Sequence, residues 1–116
     1  MPHFVIDCSE SLLEKHDAET IYTRVHNAAN STELFGESNI QVRLVPFSSN
    51  FMGGKKVESI HVFASILEGR TKEQKLALSK AVIINLAELF PEVEIIGMDV
   101  LDLEKGVGFT KKRLEE

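Results

Sequence analysis

Two residues in this 116-residue chain have the type and position for proton transfer on an anion. Pro2 directly follows Met1 and opens the strand-like run His3-Phe4-Val5-Ile6-Asp7-Cys8. Removal of Met1 would leave Pro2 as a secondary amine at the chain end, anchored to a sheet. That is a general base without any side chain. A chain-terminal amine has a reference pKa of about 8, and a base working near neutrality must be largely deprotonated. Arg70 is the second residue. It stands where the strand pattern ending in Ile66-Leu67-Glu68-Gly69 gives way to the helix pattern Thr71-Lys72-Glu73-Gln74-Lys75. Parallel α/β units hold ligands at such junctions, and a guanidinium beside helix-start amides suits a carboxylate. The plainer alternatives are that Pro2 is a tolerated strand start and that Arg70 is an exposed arginine paired with Glu68 or Glu73.

The other reactive side chains point less clearly to chemistry. His3, His16, His26 and His61 stand at no spacing with acids or Cys8 that demands a metal, and none is expected. Cys8 has no base beside it and reads as a small buried residue. Gly53-Gly54 lacks the further glycines and the lysine of a phosphate loop. Phe51 and Met52 suit either a pocket edge or a loop anchor.

The elements that must position Pro2 and Arg70 come in a repeated order. Residues 3–8 read as a strand. After a polar stretch, Ala18, Ile21, Tyr22, Val25, Ala28 and Ala29 recur at helical spacing, with Asp17 as N-cap. Residues 39–47 read as a second strand. Residues 48–56 form a loop or tight hairpin in which Gly53-Gly54 supplies positive φ. Residues 57–67 are the strongest strand signal, with Val57, Ile60, Val62, Phe63, Ile66 and Leu67 spread over both faces, as in a central strand covered on both sides. Thr71 and Gln74 form a capping box that opens a helix. Leu78, Ala81, Val82, Leu86 and Leu89 make its buried stripe, and Pro91 blocks its continuation. Residues 94–102 form the last strand, and 110–116 a charged tail expected to fray.

The whole chain, 1–116, is therefore one α/β domain (α+β in some schemes) of two tandem β-α-β units. The first spans about 2–50 and the second about 57–109, each with parallel neighbours and a right-handed crossover. The helix ends echo each other, Glu33-Leu34-Phe35-Gly36 against Glu88-Leu89-Phe90-Pro91, as in an internal duplication. Two helices on one face of a four-stranded sheet leave the other face apolar and bare, which predicts an oligomer.

Composition sets the broad class. The chain is 43% apolar and 27% charged, as in soluble globular proteins. Its net charge of −5 and its lack of a basic stripe argue against nucleic acid. No apolar run reaches a membrane span, and no leader is expected. A single cysteine suits the reducing cytoplasm. One or two arginines in a cleft can still hold a small anion against this distant negative field.

Residues 60–75 closely resemble the opening of 4-oxalocrotonate tautomerase, and Lys105-Gly106-Val107-Gly108-Phe109 resembles the glycine-containing hairpin of that family. The start Met1-Pro2-His3-Phe4-Val5-Ile6-Asp7-Cys8-Ser9 is similar to that of the double-length 5-carboxymethyl-2-hydroxymuconate isomerase family. The likeness covers most of residues 2–109. It implies the tautomerase fold, a homotrimer, and a cofactor-independent isomerase active in aromatic catabolism. The implied reaction is a 1,3-proton shift on a small anionic, unsaturated 2-hydroxy or 2-oxo carboxylic acid. The resemblance makes Pro2 the catalytic base and Arg70 a substrate-binding residue, with Phe109 at the pocket. The second strand copy carries Ile60 at the proline position, so one half supplies the base and the other the arginine. The family places an arginine where this chain has Gln41; the expected substrate-binding substitute is either Gln41 itself, which keeps donor capacity without the charge, or Arg43, two residues on and on the same face. That departure keeps open a rival reading, a non-catalytic or differently specific binding or assembly protein on the same scaffold.

Overall fold

The computed structural model describes residues 1–116. Strand β1 (His3–Ser9) alternates as its sequence requires: Phe4, Ile6 and Cys8 are buried, while His3, Val5 and Asp7 face the other side half-buried. The polar stretch that follows is not loose. A 3-10 turn at Glu10–Glu14 drives Leu12 into complete burial, with Leu13 packed half-buried beside it, and the pair anchors the end of β1. Helix α1 (Ala18–Ser31) starts where the Asp17 carboxylate accepts the Thr20 backbone N–H at 2.8 Å. It buries Ile21, Val25, Ala28 and Ala29, whereas Tyr22 is left exposed. A 3-10 turn at Glu37–Asn39 occupies the first position expected of the next strand, and β2 (Gln41–Phe47) begins after it.

Two short strands, β3 (Phe51–Met52) and β4 (Lys55–Lys56), pair as a hairpin across Gly53 and Gly54, whose φ angles are 59° and 80°. Two positive φ values in succession are what a two-residue hairpin turn demands, and glycine meets them without strain. Strand β5 (Ser59–Leu67) then crosses the middle of the sheet. Helix α2 (Lys72–Leu89) opens with both bonds of the Thr71–Gln74 capping box and buries Leu78, Val82 and Leu86. Strand β6 (Ile95–Leu103) closes the second unit.

The main sheet runs β2-β1-β5-β6. Pairing is parallel within each β-α-β unit and antiparallel where the units meet, with Val5 opposite Phe63. Both helices pack on one face over Phe4, Ile6, Ile60, Val62 and Ala64. Each fully buried side chain of Val, Leu, Ile or Phe size contributes about 1.5–3 kcal/mol of hydrophobic stabilisation. Arg24 clips the helices together by bonds to Asn85 Oδ1 at 2.9 Å and to Glu88 Oε2 at 2.5 Å. Cys8 lies in this core, where burial, helped by Glu58, pushes its thiol up to about 11. It is a neutral packing residue.

The opposite face of the sheet is bare. The alternation of β5 does put apolar residues on both sides, but within one chain only the helix side is covered. Phe63 remains 39% exposed and Leu101 53%. The C-terminal region also differs from expectation. Lys105–Val107 forms a turn with Gly106 at φ 85°, and the segment as far as Phe109 contains no strand, so it is not a hairpin here. The charged tail folds into a 3-10 turn at Lys111–Glu115, because the Arg113 guanidinium stacks 4.8 Å from the centre of the Phe109 ring.

Candidate active site

Pro2 lies buried one residue before β1, and its carbonyl accepts the Gln41 N–H at 3.0 Å. The first hydrogen bond between β1 and β2 thus fixes the chain start to the sheet. Arg70 arrives from the other unit. Gly69, at φ 116°, makes the sharp exit from β5, and a side chain there would meet the Lys105 ammonium at 3.1 Å. The capping box next to it fixes the start of α2. Arg70 Nη2 then donates to the Leu34 carbonyl at 2.7 Å, and Nη1 to the Leu67 carbonyl at 3.3 Å. Its guanidinium stands 5.0 Å from the centre of the Phe35 ring, which in turn meets Phe4 edge-on at 6.1 Å. A core aromatic, a helix-exit aromatic and the arginine form one stack. Two of the five guanidinium donors are engaged on these carbonyls, and the others are free for an anion.

Pro2 and Arg70 line the same cavity of about 160 Å³, together with Met1, Phe35, Asn39 and Leu67. No acid lines it, and Arg70 is its only ionised side chain. In a chain of net charge −5, this is a local positive spot with mixed walls, where Leu34, Phe35 and Leu67 stand beside Gly36 and Asn39.

Phe109 is next door. It lines an adjoining cavity of about 520 Å³ that shares Met1 and Leu67 with the first. Gln41 and Arg43 share a face, but it is the bare face of the sheet, beside His3 and Val5. Neither lines the cavity that holds Pro2 and Arg70 within one chain. Among site-lining residues, sequence reasoning missed Phe35, Asn39 and Arg113. The Leu34-Phe35 echo of Leu89-Phe90 marked Phe35 as a helix exit. Its role as a platform for Arg70 depends on a contact 35 residues away. No three His, Cys, Asp or Glu side chains gather as a metal-holding group.

The sequence profile of the 5-carboxymethyl-2-hydroxymuconate isomerase family matches residues 2–97. No curated protein matches the chain in sequence. Solved structures of the same fold are numerous. Pt0534 inactivated by 2-oxo-3-pentynoate is 18% identical, with a TM-score of 0.78 over 94% of this chain and 92% of that one. N1, of the cis-3-chloroacrylic acid dehalogenase family, is 15% identical, with a TM-score of 0.80 over 94% of this chain and 80% of its own. The wild-type symmetric trimer of the W0 fused 4-OT is 13% identical, with a TM-score of 0.81 over 94% and 93% of the two chains. At these identities the likeness establishes the tautomerase fold.

Proposed function

The chain belongs to the 5-carboxymethyl-2-hydroxymuconate isomerase family, and from that premise we propose that it catalyses a 1,3-proton shift on an unsaturated 2-hydroxy or 2-oxo carboxylic acid. Pro2, freed by removal of Met1, is the base. The observation that carries this reading is the shared cavity: the residue that would bear the chain-start amine and an arginine line it together, with no acid present.

Arg70 holds the substrate carboxylate through donors that its two carbonyl bonds leave free. Its stacking on Phe35 and its bonds to Leu34 and Leu67 fix it before substrate arrives. Little reorganisation is then needed when charge develops. The neutral Pro2 amine takes a proton from one end of the three-atom system. The double bond shifts, and negative charge spreads into the 2-oxo and carboxylate oxygens beside Arg70. The prolyl ammonium returns the proton to the atom two positions along. Atoms and charge balance without a cofactor.

A second reading keeps the scaffold and changes the substrate. It is favoured by Gln41, which stands where the family resemblance implies an arginine, and by the position of Arg43 on the bare sheet face. A neighbouring copy seated on that face could bring Arg43 or Gln41 to the cavity, and we propose a homotrimer as the assembly that does so.

The test begins with mass spectrometry of the purified chain to establish that it starts at Pro2. Isomerisation of 5-carboxymethyl-2-hydroxymuconate is then followed by ultraviolet absorbance. Pro2→Ala is expected to lower kcat by orders of magnitude with an unchanged circular dichroism spectrum. Equal turnover by Pro2→Ala removes the proline from the mechanism.

A further inference from the structure

Only two polar side chains line the cavity that holds Pro2: Arg70 and Asn39. The proposed function gives Arg70 a task and leaves Asn39 without one. Asn39 closes the 3-10 turn Glu37–Asn39, which joins α1 to β2. That turn is tied to the chain start, because Gln41, two residues on, donates its N–H to the Pro2 carbonyl at 3.0 Å. The bond that anchors Pro2 therefore also anchors the turn that carries Asn39.

The Asn39 amide is open to the cavity. Asn50 and Asn85 spend their side-chain amides within the chain, on Ser59 Oγ at 3.1 Å and on the Ala81 carbonyl at 2.8 Å. Asn39 bonds through its backbone, its N–H donating to the Gly36 carbonyl at 2.9 Å, and its side chain stays exposed. Gly36 makes room for that side chain. Its φ of −66° and ψ of 130° are values that any residue adopts, so backbone freedom does not call for glycine here. Space does. A Cβ at this position would lie 3.3 Å from Asn39 Nδ2, tighter than ordinary van der Waals contact. Gly36 lines the same cavity, so the amide lies against bare backbone at its wall.

The two polar groups differ in chemistry. A guanidinium is charged and only donates, whereas a primary amide is neutral and both donates and accepts. An unsaturated 2-hydroxy or 2-oxo acid presents a partner for each. Its carboxylate matches the guanidinium. Its oxygen on C2 is a hydroxyl in one tautomer and a carbonyl in the other. The amide oxygen accepts from the hydroxyl, and the amide N–H donates to the carbonyl. An arginine offers the hydroxyl no acceptor.

We infer that Asn39 binds the C2 oxygen of the substrate whose carboxylate rests on Arg70. The inference rests on the proposed function and deepens it: the turn between α1 and β2 selects acids oxygenated at C2. When Pro2 takes the proton, the electron pair of the broken C–H bond moves into the carbon chain, and charge builds on the C2 oxygen. The Asn39 N–H, already in place, stabilises that charge. The pair returns to carbon when the prolyl ammonium gives the proton back. Asn39 itself neither gains nor loses a proton.

Two saturated probes separate this inference from the question of turnover. Pentanoate and 2-hydroxypentanoate differ only in the C2 oxygen, and neither has a double bond to shift. Binding of each to the chain that starts at Pro2 is measured by titration calorimetry. 2-Hydroxypentanoate is expected to bind about twofold to tenfold more tightly, the range of one neutral hydrogen bond. Asn39→Leu, similar in shape but without a polar group, should bind both probes as the wild-type chain binds pentanoate. Gly36→Ala, which crowds the amide without removing it, should narrow the preference. Circular dichroism checks that both variants fold. Arg70→Gln should weaken both probes. Equal binding of the two by the wild-type chain, or a preference kept by Asn39→Leu, overturns the inference. A chain that binds neither probe defeats the carboxylate reading of the cavity and the inference with it. Failed isomerisation beside an Asn39-dependent preference would count against the Pro2 mechanism alone.

Discussion

Arg70 was legible as an anion-binding candidate from its place between a strand and a capped helix. Its orientation was not. That comes from the Leu34 carbonyl and the Phe35 ring, which lie on the exit from α1 in the other unit. Sequence spacing cannot display a contact made by two units folding together. The same holds for Arg113, which reads as one charge in a mixed tail until Phe109 is placed under it. At this scale two outcomes follow. Loss of a charge-assisted bond costs about 1.5–3 kcal/mol, so Arg70→Ala should lower kcat/KM by about tenfold to a hundredfold. Gln41→Arg restores the arginine implied by the family resemblance. Steady-state kinetics should show a lower KM for 5-carboxymethyl-2-hydroxymuconate if substrate binding alone was weakened by glutamine. A native chain and a Gln41→Arg variant that are both inert, with Pro2 free, would remove that substrate.

At the scale of elements, local signals carried well. The Asp17 N-cap and the Thr71–Gln74 capping box are bonds within one turn, so short sequence patterns specify them fully. The parallel pairing inside each unit follows from its strand–helix–strand order. The 3-10 turn at Glu10–Glu14 was hidden, because its single deeply buried residue, Leu12, is outnumbered by polar neighbours. Thr71→Ala removes one hydrogen bond from the start of α2, next to Arg70, and should cost about 1 kcal/mol in urea unfolding. The loosened helix start should also raise KM. Acid should destabilise the fold in a defined direction. The Asp17 carboxyl is held below its ordinary value by hydrogen bonds from the side chain and backbone of Thr20. The Glu92 carboxyl is lowered chiefly by its hydrogen bond from Lys15. A carboxyl with a lowered folded pKa adds stability above its unfolded pKa of about 4, and that contribution is lost as pH falls through the folded value. Asparagine also caps helices well. Asp17→Asn should therefore keep the helix and flatten part of the acid limb in a plot of urea midpoint against pH. An unchanged acid limb would rule out Asp17 as a contributor.

The whole molecule poses a problem that one chain leaves unsolved. Both helices lie on one face of the sheet, and the other face presents Val45, Phe63, Leu67, Leu101 and Leu103 with substantial exposure. A single exposed leucine is ordinary, but an apolar set spread over all of β2, β5 and β6 marks an interaction surface. The face is not uniformly apolar. Arg43, Val5, Phe63 and Asp99 lie in one row across the four strands, and His61 bonds Asp99 at 3.0 Å. Such a mixture suits a specific interface, in which charges set the register and the aromatic ring supplies buried area. A trimer is the assembly we propose here. Sedimentation equilibrium should then give three times the 13.0 kDa chain mass at micromolar concentration. Phe63 faces Val5 on one side and Asp99 on the other. Phe63→Asp would remove the central ring and place a second carboxylate beside the first, where like charges repel. Its side chain points away from the helix-covered core, so the monomer should keep its circular dichroism while the assembly dissociates. Activity should fall with it if Arg43 or Gln41 reaches the cavity from a neighbouring copy. A wild-type chain that sediments as a monomer would defeat the assembly, and a fully active Phe63→Asp monomer would confine the working site to a single chain.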